Sequence, residues 1–288
     1  MNQTQKINFY YRFKKFQQNR EKAFAPKINR ALRNQYLSFT NSIRTQGLES
    51  ALQNVQSAEL SIILKKLYID AGITYGAKIR ADLRPFMKKS FLNPPVGAAG
   101  PKGYHSHSTS NSGSPDKGNE LKARMPMGFS EQMLQLIEAY FRTDILNTSE
   151  GITGTTRDLI RTLFTDAYEL GLSIDEIVDK LEHTELSRVR ARMIARTETV
   201  LASNQGAAFA AKTLNIPLNK EWISAVDNRT RRHHLAVNGQ VIDSDAYFKV
   251  GGYNLKFPGD KGGKEGQLPV DPAETINCRC AAAFLPKD

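Results

Sequence analysis

The sequence predicts an α+β protein, mostly helical through its N-terminal and middle regions, with a small loop-rich α+β domain at its C-terminal end. Three observations carry that expectation. Apolar residues recur at three- and four-residue spacings through most of the first 216 positions. From Lys220 onward the pattern changes to short β-prone runs separated by Gly- and Pro-rich loops. Between two helical regions lies a stretch of Gly, Ser, Pro, Asn and Lys with almost no large apolar side chain. The chain divides accordingly into a basic helical region (1–92), a flexible linker or long loop (93–128), a second helical region (129–216) and the α+β domain (217–288).

The elements follow in order. Phe9, Tyr10, Phe13, Phe16 and Phe24 sit among cations at helical spacing, which predicts a helix over 8–45 that Pro26 interrupts or kinks. Leu60, Ile63, Leu64, Leu67 and Tyr68 form a second stripe running toward Arg84, with Pro85 marking a boundary. After the linker, Met133, Leu134, Ile137, Tyr140, Phe141 and Ile145 line one helix. A separate helix runs from Thr155 to Leu170 and stops at Gly171. Ser173-Ile-Asp-Glu176 has the spacing of a capping box. Leu186, Val189, Met193, Thr197 and Val200 define a long helix ending near Leu214. Its arginines Arg188, Arg190, Arg192 and Arg196 are read as paired with Glu182, Glu185 and Glu198, three or four residues away. Strands are expected at 221–226, 241–242, 253–257 and 281–285, with a short helix near 228–236.

Composition excludes several classes. At 288 residues the chain is long enough for two domains and a real core. It has no run of about 18 uncharged apolar residues and no signal-peptide pattern, so no membrane partner is expected. Two cysteines cannot make a disulfide framework, and they point to a reducing compartment. The net charge of +11 is unevenly spread: residues 1–92 hold 17 Lys/Arg against 5 Asp/Glu, and the rest is nearly balanced. Arg12, Lys14, Lys15, Arg20 and Lys22 are therefore candidate nucleic-acid contacts, the alternative being a solvated helix face.

The chemistry-bearing residues crowd into the C-terminal region. Asp227 precedes a polar helical segment and is read as its N-cap, accepting the N–H of Arg229 or Thr230. Arg229 and Arg231, two apart, point to different sides: one suits an internal carboxylate, the other a partner. His234, Cys278 and Cys280 supply three of the four ligands of a zinc site, with water or His233 as the fourth. Buried reduced thiols are the competing reading. His105 and His107 lie in the linker with no third ligand near. No catalytic residue is assigned, because no nucleophile or phosphate-loop motif is present. A metal-dependent nuclease or hydrolase centred on Asp227, His234, Cys278 and Cys280 stays open as an alternative.

These residues also form an ordered set. It runs from Ala195-Arg196-Thr197-Glu198-Thr199 through Asn204-Gln205-Gly206 to Trp222. Asp227-x-Arg229-Thr230-Arg231-x-x-His234 and Gly239 follow, then Pro269 and Pro272, and last Asn277-Cys278-Arg279-Cys280. In this order and spacing, residues 130–288 resemble the Mu F-like family of phage minor head proteins, also called the phage head morphogenesis family. The resemblance implies a minor capsid component at the portal vertex of a tailed phage, acting in head morphogenesis and in DNA packaging or delivery. Implied partners are the portal protein, phage DNA through the basic N-terminal region, and a major capsid or scaffold protein. The implied location is the head interior near the portal, and the host cytoplasm during assembly. Some family members carry a further C-terminal enzymatic module. With eight residues after Cys280, this chain is expected to lack one.

Overall fold

Helix α1 (Gln3–Gln46) begins with a reciprocal cap. Asn2 Oδ1 accepts the Gln5 N–H at 2.9 Å, and Gln5 Oε1 accepts the Asn2 N–H at 2.9 Å. In the computed structural model, which describes residues 1–92, 128–182, 186–225, 227–264 and 267–287, this helix runs unbroken through Pro26. An interior proline costs a helix about 3 kcal/mol. Phe13, Phe16, Phe24, Ile28 and Leu32 bury on both sides of it, each worth about 1.5–3 kcal/mol, so packing outweighs the defect. The expected interruption does not occur. Pro85 is likewise no boundary, since α3 (Ala58–Leu92) passes through it after the short α2 (Leu48–Gln53).

Helix α4 spans Phe129–Glu169, where the apolar pattern predicts two helices. The joining face is buried but carries hydroxyls, so hydrophobic periodicity loses it. Ser149, Thr153 and Thr156 are fully buried. Their oxygens are satisfied locally or by Gln35, whose Nε2 donates to Thr153 Oγ1 at 2.8 Å. The stop at Gly171 is as expected: the residue has φ +76°, and Leu172 N reaches back to Ala167 O at 3.1 Å. The capping box of α5 (Ile174–Glu182) is present, with Ser173 N donating to Glu176 Oε2 at 2.8 Å. The linker expectation for 93–128, with His105 and His107, falls outside the described residues except for Gly128, the N-cap of α4.

Helix α6 (Leu186–Lys212) is the axis on which the rest packs. Ala191, Ile194, Ala195, Val200, Leu201 and Ala202 are its buried side, whereas Val189 and Met193, read as core positions, are 70% and 38% exposed. Small residues let α3 approach closely: a Cβ added at Gly206 would lie 2.2 Å from Gly72 O. The sheet is antiparallel in the order β2-β1-β5, built from β1 (Leu218–Ile223), β2 (Val241–Asp243) and β5 (Ala281–Pro286). In its register Trp222 faces Ala282. Strands β3 (Phe248–Val250) and β4 (Tyr253–Leu255) make a separate hairpin across Gly251-Gly252, both at positive φ. Helices α7 (Arg232–Ala236) and α8 (Pro272–Thr275) are single turns.

One apolar cluster joins α1, α3, α4 and α6 to the sheet and runs from Phe9 to Phe284. A smaller one, from Tyr36 to Leu181, closes the other end of the helices. The class is α+β, as predicted. No described helix is long and apolar enough to cross a membrane.

Candidate functional site

Trp222 on β1 is fully buried, and its Nε1–H donates to Ser224 Oγ at 3.2 Å. Ser224 in turn donates to the His234 carbonyl at 2.6 Å. The indole meets the His234 ring edge-on, centroids 5.4 Å apart, and so fixes the imidazole plane. Glu274 of α8 accepts from both histidines: Oε2 lies 3.1 Å from His234 Nε2 and Oε1 lies 2.8 Å from His233 Nδ1. An ionised carboxylate can only accept, so His234 Nε2 carries the proton and Nδ1 presents its lone pair. That lone pair faces two sulfurs, Cys280 Sγ at 3.4 Å and Cys278 Sγ at 3.7 Å.

The sequence places His234, Cys278 and Cys280 together, and the structure does the same, with the three candidate ligand atoms within 4.8 Å of one another and all buried. His233, the suggested fourth ligand, is turned to Glu274 instead. The two thiols are unlike. Cys280 is held well below an ordinary thiol by a hydrogen bond from Cys278, against burial, with Ser224 adding to it. Cys278 is pushed well up by the same bond and by burial.

Asp227 plays a different part from the one expected. It accepts the Arg229 N–H at 3.1 Å, as predicted, but it caps a turn, and the N-cap of α7 is Arg231. Its carboxylate is taken by the Arg279 guanidinium, with Nη2 2.6 Å from Oδ1 and Nη1 on Oδ2. Arg279, then the Arg229 N–H and Thr230, hold it far below the usual carboxylate range. This pairing removes Asp227 from the His/Cys cluster. Arg231 donates to the Ile276 carbonyl at 2.6 Å, while Arg229 is 73% exposed and only loosely near Asp227.

The upstream motif residues are tied to the same region. Arg196 grips Glu21 of α1 with Nε and Nη2 at 3.0 and 2.9 Å and reaches Asn277 Oδ1 with Nη1 at 2.7 Å. Asn277 holds φ +60°, and its N–H donates to Thr197 Oγ1 at 2.8 Å. Buried Glu198 accepts from Tyr68 at 2.6 Å and from Lys261 at 2.9 and 3.0 Å. Asn204 carries the Cys280 and Pro258 carbonyls and the Ala282 N–H. Gly239, at φ +79°, donates to the Trp222 carbonyl at 2.8 Å. The expected short-range pairing is corrected for two of the α6 arginines: Arg196 and Arg190 find distant partners, the latter at the Ile152 carbonyl and Thr156, while the side chains of Glu182 and Glu185 fall outside those described.

Sequence reasoning missed Glu274, Glu21, Lys261 and the Arg279–Asp227 fork. Only Asp271-Pro272, a cap followed by proline, hinted at the turn that carries Glu274. The cavity beside the cluster measures about 10 Å³, room for about one water molecule. The candidate nucleic-acid cations divide. Arg12 pairs with Asp82 and Arg20 with Asp70, while Lys14, Lys15 and Lys22 are exposed on α1.

Against known proteins, residues 158–283 match the family model described as Phage Mu protein F like protein. A 105-residue stretch is 33% identical to the Minor head protein GP7 of Bacillus phage SPP1, covering 35% of this chain and 31% of that protein. A 102-residue stretch is 34% identical to the NAD(+)--arginine ADP-ribosyltransferase EFV of Enterococcus faecalis, covering 34% of this chain and 19% of that protein. The chain thus spans about a fifth to a third of the length of the curated relatives it matches. No solved structure matches it.

Proposed function

We propose that this chain, whose residues 158–283 match the Phage Mu protein F like family, is a minor head protein of a tailed phage. In this reading it sits in the head interior at the portal vertex after assembly in the host cytoplasm. There it binds the portal protein and a major capsid or scaffold protein, and acts in head morphogenesis and DNA packaging or delivery. The observation that carries the reading is the state of the motif residues. Arg196, Glu198, Asp227, His234 and Arg279 are engaged with one another and with α1, α3 and α8, and the space beside His234 is too small to admit a substrate. A scaffold that presents its outer surface fits this better than a nuclease or hydrolase. The exposed Lys14, Lys15 and Lys22 on α1 are the part we assign to DNA.

The test uses the full chain. Purified protein is expected to be retained by immobilised portal subunits, and to bind duplex DNA with an affinity that falls steeply with salt. Changing Lys14, Lys15 and Lys22 to Glu is expected to flatten the slope of log affinity against log salt by about 0.9 for each phosphate no longer neutralised, leaving portal binding intact. Failure to bind portal overturns the head-protein assignment, and an unchanged salt slope overturns the DNA assignment.

A further inference from the structure

We propose that His234, Cys278 and Cys280 hold a zinc ion that staples the C-terminal domain, with Glu274 as the residue that positions the imidazole. This does not depend on the head-protein reading. In a tetrahedral site with Zn–S about 2.3 Å and Zn–N about 2.0–2.1 Å, each sulfur lies about 3.6 Å from the imidazole nitrogen. The observed separations of 3.4 and 3.7 Å bracket that distance. Two sulfurs converge on one nitrogen that has a single lone pair, so hydrogen bonding alone can serve only one of them, whereas a shared cation serves both. The imidazole is oriented as ligating histidines are, with its far N–H on a buried carboxylate, here Glu274 Oε2 at 3.1 Å.

Charge supports the same assignment. Binding sends the two thiol protons to solvent, and one Zn²⁺ with two thiolates and a neutral imidazole carries no net charge, as burial requires. Two thiolates and an imidazole favour a soft or borderline ion over calcium or magnesium. The adjoining cavity of about 10 Å³, bordered by Ala225, Thr230 and Arg231, holds one water as fourth ligand and no substrate. That makes the site a structural clamp. It ties α7 to the segment leading into β5, in a domain whose own sheets are only three and two strands.

The full chain, purified under reducing conditions without added chelator, is expected to carry one zinc per molecule by elemental analysis. Chelation should lower its thermal midpoint. Cobalt(II) should restore that midpoint and give a thiolate charge-transfer band with the intense visible bands of a tetrahedral ion. Cys278→Ser and His234→Ala should lose the metal. Because these variants can fail to fold, Glu274→Gln is the decisive partner: it should keep the circular dichroism of the parent and bind zinc about 10- to 100-fold more weakly. A folded parent that is free of zinc, gives no tetrahedral cobalt spectrum and is unmoved by chelator overturns the proposal, as does a Cys278–Cys280 disulfide that persists in protein purified under reducing conditions. Unchanged affinity in Glu274→Gln overturns the role given to Glu274.

Discussion

Lys220 is a cation almost deprived of water. It lies on β1, 3% exposed, with its ammonium 5.5 Å from the centre of the Phe248 ring. Burial pushes its pKa down to about 8, partly opposed by Asp245, and Lys256 lowers it further. The folded state therefore releases this proton more readily than the unfolded chain, whose lysine titrates near about 10.4. The resulting destabilisation is fully present below pH 8 and is relieved as pH rises toward about 10.4. Lys220→Met is expected to stabilise the protein by about 3 kcal/mol at pH 7, by the usual equivalence of 1.36 kcal/mol per unit. The gain should vanish above about pH 10.4, as chemical denaturation across that range will check. The position was not legible from the sequence, where Lys220 reads as the polar residue just before a strand expected at 221–226. His234, Cys278 and Cys280 were legible, because two thiols two residues apart and an imidazole are uncommon enough to be noticed wherever they fall.

Among the elements, the pairing of α3 with α6 depends on what is missing between them. A methyl at Gly206 would sit 2.2 Å from Gly72 O and 2.6 Å from its Cα, both backbone atoms that cannot swing away. Gly206→Ala is expected to push the helices apart and cost about 1–3 kcal/mol, read as a drop in thermal midpoint. Gly128→Ala, with open space around it, serves as the control and should leave the midpoint near the parent value. Helix identity was largely readable, because aromatic and aliphatic stripes recur at Phe13, Phe16, Leu64, Leu67, Met133 and Ile137. Helix ends were not. Pro26 and Pro85 carry strong local stop signals that tertiary burial overrides, and Ser149, Thr153 and Thr156 conceal a buried face from any hydrophobic count. The hairpin strand β3 and the turn α8 were missed because three- and four-residue elements hold too few side chains to show a period.

At the scale of the molecule, the basic N-terminal region is part of the core. Phe9 and Phe13 share a cluster with Trp222 and Phe284, and Lys6 lies 2.5 Å from the fully buried Glu221 of β1. Removing the partner of a buried charge typically costs about 3–5 kcal/mol. Lys6→Met should therefore destabilise helix and sheet together, in one cooperative transition seen alike by circular dichroism and Trp222 fluorescence. A separate early melting of α1 would contradict this. The charge asymmetry pointed to nucleic-acid contacts or a solvated helix face without showing this burial, because composition reports how many cations a segment has and not which face they occupy. The apolar face of α1 is packed against α3, α6 and the sheet, and Lys14, Lys15 and Lys22 lie on its exposed side.

The clasp in which Arg196 holds Glu21 with one edge of its guanidinium and Asn277 with the other has a consequence for how the protein is made. Its three members come from the beginning, the middle and the end of the chain. During synthesis α3 follows α1 and brings Tyr75 against Phe13 and Phe16, whereas Glu21 of α1 meets Arg196 and Asn277 only after those later segments have been made. Closure of the clasp thus awaits its latest-made member, Asn277.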